Sequence, residues 1–485
     1  MKYLALLLLS ISLGTSYSQI AFYKQFSNNG DDFGQGVIEL PDSSYLITGS
    51  SSSFTGTQSQ AFLLKLDSLG NYIWSNNYGG AESDWGRRVL YKENFGIFIC
   101  GFTNSFGNGG FDFYLIKTDL NGNFEWERSY GSSGWDRVYD AKMTLDTGVI
   151  MVGETNLGGD NSSDMLIIRT NKIGDTLWTK TLGAEGLDIA TGIEIYQDSL
   201  YIVAGNVFDS TSNSQKPFIV QLDDYGAIIW SDTLGTEGDY RINDIIIIDN
   251  ILQGVGSFQH IDSITTARFS FSYDVTSNSQ ISQVQGYENG SFKSKIISYY
   301  GDSTKRYIGY EVEGNFTLSE EQDLHFGRFS NSFGWMGQVV QIFNEGVDSG
   351  EEMIPTSDGG AIAVGYTTSG GSGGGNVFVL KIGPNELYPN TSIGSSFDDL
   401  VKITKIFSTE IINIYPNPAT TEIRIQTEIS GNCIIQCTDT YGRQLLNREV
   451  KSNDVIDISE FDSGLYSISI YSNNRLIGVR KLVIL

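Results

Sequence analysis

Cysteine, histidine, proline and basic charge are all scarce in this chain. Three cysteines, Cys100, Cys433 and Cys437, cannot build a disulfide framework. Extended chain sets the last two roughly 13 Å apart, beyond the ~7 Å reach of a bridge, so all three read as small apolar residues. The two histidines, His260 and His325, have no Cys or His nearby and offer no metal-ligand spacing. Lys and Arg total 31 against 57 Asp and Glu, a net charge of −26. That balance argues against nucleic acid and anionic lipid as partners and suits a self-repelling protein in open surroundings. Beyond the N-terminus no run reaches the ~18 apolar residues of a transmembrane helix. With 7 Pro against 56 Gly and 12% aromatic residues, the composition suits many short strands joined by tight turns.

The chain opens "MKYLALLLLSISLGTSYSQ". Lys2 supplies a positive start, and the apolar run behind it is too short to span a bilayer. Ser16 and Ser18 are small residues placed for cleavage before Gln19, so residues 1–18 read as a secretory signal peptide. No cysteine follows the apolar run, so no lipid anchor is expected.

A 52-residue period dominates the chain beyond this leader. Trp74, Trp126, Trp178 and Trp230 each stand just after a turn. A glycine closes an apolar run in each unit: Gly49, Gly101, Gly153, Gly205, Gly256, Gly309 and Gly365. Asp67, Asp119, Asn171 and Asp223 each precede a glycine (Gly70, Gly122, Gly174, Gly226) by three residues, the signature of a hairpin turn with the glycine at positive φ. In the second unit four strand-like runs fall at about 87–92, 96–103, 112–118 and 124–130, with no helical period. Such units match propeller blades. Phe22 occupies the tryptophan's place one period before Trp74. The chain therefore begins with the last strand of a blade whose other three strands come from "VDSGEEMIPTSDGGAIAVGYTTSGGSGGGNVFVLKIG". Residues 19–383 thus predict a seven-bladed β-propeller without free sheet edges. Trp74, Trp126, Trp178 and Trp230 are expected to pack between blades. The pattern is similar to the tryptophan-docking motif of quinoprotein propellers, with one residue fewer between Asp and Trp, and supports packing rather than quinone chemistry.

The candidates for chemistry are thin. Asp32, Asp84, Asp136 and Asp188 recur with the same period, with Asp239 and Asp348 near equivalents. Adjacent blades hold equivalent atoms roughly 10 Å apart, too far for one shared calcium with oxygens at ~2.3–2.6 Å, so turn capping is expected. "GGSGG", Gly370 to Gly374, fits a hydrolase elbow literally but has no later histidine and no helix. Asp31–Asp32 and Glu351–Glu352 could serve a glycosidase. "DNSSD", Asp160 to Asp164, could hold a loop calcium; no other cofactor is expected.

From Ile412 acids and bases nearly balance, and the alternating runs "TEIRIQTE", "CIIQCTD", "QLLNREV", "DVIDIS", "LYSISIYS" and "RLIGVRKLVIL" predict a small Ig-like β-sandwich over 412–485. Residues 384–411 read as a linker. The stretches "IYPNPATTEIRI", "DTYGRQLL", "IDISEFDSGLYSISI" and "GVRKLVIL", in that order and running to the last residue, resemble the type A sorting domain of type IX secretion. Tyr415, Pro416, Asn417, Pro418, Gly442, Gly464, Tyr466, Arg480 and Lys481 match its motif. The resemblance implies handling by the type IX secretion machinery of a Gram-negative bacterium and export across the outer membrane. Removal of the domain is then implied, with release or attachment to surface lipopolysaccharide.

The chain is thus expected to be all-β: a signal peptide, a seven-bladed propeller and a sorting sandwich. Its expected role is binding or scaffolding of a glycan or protein ligand at the cell surface. The rival expectation is a secreted hydrolase or lyase acting on glycan or peptide through carboxylates at the channel mouth.

Overall fold

The structure is a computed structural model. It describes residues 22–27, 30–53, 58–156, 162–183, 185–235, 238–260, 266–285, 293–298, 307–312, 324–329, 335–342, 348–368, 374–383, 401–402, 412–416, 418–427, 433–439, 444–451, 454–459, 461–472 and 475–484. Ser18, Gln19, Asn417, Gly442, all of "GGSGG" except Gly374, and the first two residues of "DNSSD" lie outside them. The chain divides into two compact units, Met1–Ile403 and Thr404–Leu485. Among the described residues no helix is long and apolar enough to cross a membrane.

In the first unit the strands group in chain order, four to a sheet. Sheet one holds Asp32–Glu39, Tyr45–Ser51, Gln60–Leu66 and Tyr72–Tyr78. Sheet two holds Asp84–Lys92, Gly96–Thr103, Asp112–Thr118 and Phe124–Tyr130; its first strand starts three residues earlier than the pattern of apolar residues suggests. Sheets three, four, five and six start at Trp135, Ile189, Asp239 and Lys293. Sheet seven joins Asp348–Pro355, Ala361–Thr367 and Asn376–Ile382 to Phe22–Ser27 from the front of the chain. Each sheet's first strand lies beside that of the next, and Asp348–Pro355 lies beside Asp32–Glu39, which makes the order cyclic. Val401–Lys402, within the expected linker, pairs in parallel with Phe26 and Ser27 and extends sheet seven to five strands.

The continuous apolar runs of the second strands follow from burial on both faces. Along Gly96–Thr103, Ile97 and Ile99 pack with Leu46, Leu63 and Tyr114 toward sheet one. Phe98 and Cys100, the alternate residues, pack with Val138, Val149 and Met151 toward sheet three. Each such side chain removed from water contributes roughly 1.5–3 kcal/mol.

The second unit has two sheets. One orders Ile412–Tyr415, Glu422–Thr427 and Val455–Asp457. The other orders Gln444–Val450, Cys433–Asp439, Gly464–Ser472 and Arg475–Ile484. Their inward residues share one core of Ile423, Ile425, Ile435, Ile456, Ile468, Ile470 and Leu482. All three cysteines are buried, and none is in a disulfide.

Candidate functional site

The recurring glycine explains how side chains reach the axis of the first unit. The first strand of every sheet but the sixth carries a bulge at one place, where the register skips Gln35, Arg87, Tyr139, Thr191, Asn243 and Glu351. Opposite it stand Gly49, Gly101, Gly153, Gly205, Gly256 and Gly365, where a Cβ would run into the carbonyl oxygen of the first strand. Only glycine lets the two backbones approach so closely, and the bulge re-aims the residues that follow.

Those residues meet in a cavity of about 210 Å³, lined by Ile38, Arg88, Leu90, Asp140, Lys142, Glu194, Asp244, Ile246, Glu352 and Ile354 among others. Several different sheets supply the polar and apolar members. The Arg88 guanidinium bridges Asp140 at 2.8 Å and Glu352 at 2.6 Å. Lys142 pairs with Glu194 at 2.9 Å. Asp140 also accepts from the backbone N–H groups of Ala141 and Ile193. Burial opposes the charge on Arg88 and on Lys142, but the carboxylates beside them outweigh it and both pKa values rise. Burial pushes Glu194 upward against the pull of Lys142. Alongside, Arg87 pairs with Glu351 at 3.1 Å and donates to Gln35 Oε1. Tyr139 donates to Glu154, and its hydroxyl is pushed up to about 12, by burial first and Glu154 second.

The periodic aspartates sit at the start of the first strands rather than in this cavity. Asp32 accepts from the hydroxyls of Ser51 and Ser53. Asp84 accepts from Thr103, Ser105 and the Gly80 N–H. Asp136 accepts from the Ser132 N–H, and Asp188 from the Phe208 N–H. Of the adjacent carboxylates, Glu351 and Glu352 are taken by Arg87 and Arg88, while Asp31 accepts from the Gly375 N–H. His260 is exposed beside Phe258.

Trp74, Trp126 and Trp178 are half-buried and lie against the turn glycine of the next sheet: Trp74 over Gly122, Trp126 over Gly174, Trp178 over Gly226. These glycines have φ of 76°, 84° and 78°. Trp230 stacks on Tyr273, ring centroids 5.3 Å apart. In the second unit, Tyr415 ends its strand exposed, and Pro416 and Pro418 are exposed after it. Gly464 opens a strand, and Tyr466 is buried, donating to Asp462 O at 2.6 Å. Arg480 and Lys481 pair through their backbones with Ile468 and Ser467.

Of the axial residues sequence reasoning singles out Glu352 and misses the others, although Gly36, Arg88, Asp140, Gly192 and Asp244 keep the 52-residue period. Their residue types differ from unit to unit, so no shared letter marks the position.

Residues 413–485 match the family model of the secretion system C-terminal sorting domain. That match identifies the end of the chain as a sorting tail and the protein as exported cargo for the cell surface. No curated protein matches the sequence. Among solved structures, an ulvan lyase of a polysaccharide lyase family is 8% identical, with a TM-score of 0.50 over 74% of this chain and 96% of that one. PorZ, a bacterial surface component of the type IX secretion system of Porphyromonas gingivalis, is 12% identical, with a TM-score of 0.38. It is matched over 91% of this chain and 58% of its own. The β-propeller domain of the Trilobed protease of Pyrococcus furiosus is 6% identical, with a TM-score of 0.41 over 77% of this chain and 98% of that one. Likeness at such identity is one of fold alone; the cyclic run of four-stranded sheets is itself the arrangement of a β-propeller.

Proposed function

We propose that this chain is a binding protein carried by the type IX secretion route to the exterior of the outer membrane of a Gram-negative cell. In this reading residues 1–18 are a signal peptide, 19–383 a seven-bladed propeller, 384–411 a linker and 412–485 a type A sorting domain with an Ig-like sandwich. The propeller presents its bulged first strands and inter-strand loops to a glycan or protein, and lipopolysaccharide receives the processed chain. The cyclic order of the sheets supports the blade count, and the sorting tail supports the route.

One observation favours binding over catalysis. The axial acids are engaged: Asp140 and Glu352 hold Arg88, and Glu194 holds Lys142. A general acid or base needs a proton to exchange with substrate, and a carboxylate locked against a cation is poorly placed to supply one. The test is a glycan and protein binding screen on the full chain, with lyase and hydrolase products measured in the same samples. Retention of one ligand class without new reducing ends or unsaturated products is expected. Turnover that disappears in Glu194→Gln would replace binding by catalysis.

A further inference from the structure

A second cavity, about 410 Å³, lies where sheet two meets sheet three and is lined by Asn108, Asp112, Tyr130, Ser132, Asp136 and Thr155 among others. At this kind of junction the N–H of the periodic aspartate donates to the residue before the neighbouring sheet's third strand. Asp32 donates to Gly375, Asp84 to Ser59, Asp136 to Phe111 and Asp188 to Ser163. The residues that follow these acceptors are therefore equivalent: Asn376, Gln60, Asp112 and Asp164. Two junctions set an amide beside the aspartate, and two set a second carboxylate there.

At the second-to-third junction the two carboxylates are not compensated. Asp112 is 1% exposed and Asp136 0%. Each uses Oδ2: Asp112 accepts from the Asn108 N–H at 3.0 Å, and Asp136 from the Ser132 N–H at 2.6 Å and the Ser132 hydroxyl at 3.1 Å. Oδ1 of both is buried with no hydrogen-bond partner. In sheets one and two the oxygen matching Asp136 Oδ1 accepts from Ser51 and Thr103. A single methyl built on Gly131 would overlap both Asp112 Oδ1 and Asp136 Oδ2, so oxygens of the two acids flank one small volume. Burial, with Asp136 adding to it, pushes the Asp112 carboxyl up to about 6. Two buried carboxylates with free lone pairs need positive charge between them.

We propose that Asp112 and Asp136 together bind one divalent cation of calcium type at this junction. Calcium takes oxygen ligands in flexible geometry, from carboxylates, neutral oxygens and water. Among the described residues no third acid, histidine or cysteine completes a cluster, so the remaining protein ligands are neutral oxygens of the kind Asn108, Ser132 and Thr155 bring to the cavity. A site with only two carboxylates belongs to the weak class, with a Kd of roughly 0.1–1 mM, that extracellular modules use.

The test titrates metal-stripped full chain with CaCl₂ by calorimetry and follows melting in calcium and in EDTA. Wild type should take up calcium at millimolar concentrations and melt ~2 °C higher at about ten times Kd. Asp112→Asn should lose one equivalent of calcium and melt no lower than wild type in EDTA, since it removes the repulsion. Asp136→Asn should also lose that equivalent, and this second variant carries the test if the first does not fold. No uptake by wild type up to about 10 mM overturns the proposal, as does an unchanged stoichiometry in a folded Asp112→Asn or Asp136→Asn protein. Melting that responds to pH but not to calcium would mean that the pair shares only a proton, which also overturns it.

Discussion

Phe22 pairs with Lys381 across sheet seven in the register that Trp126 keeps with Lys117 in sheet two. Its ring lies against Gly70 as the Trp126 ring lies against Gly174. The front of the chain is thus fastened to the end of the array by the contact that repeats inside it. The register and this contact together define a seam.

The seam should be as costly to damage as a core. Phe22 is 7% exposed and packs with Tyr45, Leu64 and Val379. Phe22→Ala is expected to destabilise the first unit by about 3–5 kcal/mol. Phe22→Trp should be tolerated, because the same socket holds an indole in other sheets. Thermal melting of both variants checks this; a melting point for Phe22→Ala within a degree or so of wild type would show that the front strand is not a closure.

The axial ion pairs lead to a different expectation. Arg88 is 8% exposed and stands between Asp140 and Glu352. Arg88→Met leaves the buried Asp140 and the half-buried Glu352 without their shared cation and should cost about 3–5 kcal/mol. Neutralising both acids in the same chain (Arg88→Met, Asp140→Asn, Glu352→Gln) should recover most of that loss. Denaturant melts of the single and triple variants separate the two; a triple variant as unstable as the single one would point to lost packing rather than stranded charge.

How far the sequence reaches depends on the kind of repetition. The turn aspartates and glycines, the apolar second strands and the tryptophans recur in kind, and the structure places them at recurring points. Asp67 Oδ1 accepts from the Leu69 and Asn71 N–H groups, and Asp119 does the same for Asn121 and Asn123. Trp74, Trp126 and Trp178 are half-buried and cover the turn of the neighbouring sheet, and Trp230 stacks on Tyr273. Positions that recur in place but vary in residue type are not legible. Arg88 and Asp140 share a phase yet carry opposite charge, and a pattern of identical letters passes over them. Comparing Asp136 with Asp84 and Asp188 likewise hides its real neighbour, Asp112, which stands on the third strand of another sheet. Nothing local announces that contact; it exists only once the sheets are set side by side.

The Asp112 pair also predicts a pH response. The Asp112 carboxyl titrates near 3.8 in the unfolded chain and about 6 when folded, so between those values the folded state holds more protons. Stability from this group is present below about pH 4 and is lost as pH rises through 6. In metal-free protein the melting difference, Asp112→Asn minus wild type, should therefore grow from about pH 4 to about pH 6.5 and then level off. Saturating calcium should abolish that growth, because the cation replaces the proton. A difference that stays flat across the range in EDTA would mean that burial and Asp136 do not together raise the Asp112 carboxyl.

The sorting tail has a consequence for how the chain must be built. The tail has its own core, in which Ile423, Ile435, Ile468 and Leu482 are buried, and the contact boundary falls between Ile403 and Thr404. A chain ending at Ile403 keeps every strand of sheet seven, including Val401–Lys402, and is expected to melt as the first unit does in the full chain while remaining in the periplasm. A chain ending at Gly383 should behave alike for export and melt slightly lower, having lost the fifth strand. Cell fractionation with surface proteolysis tests the first expectation and calorimetry the second. Surface exposure of either truncated chain would show that the route is read elsewhere than residues 413–485, and the tail would then be a passenger rather than the address.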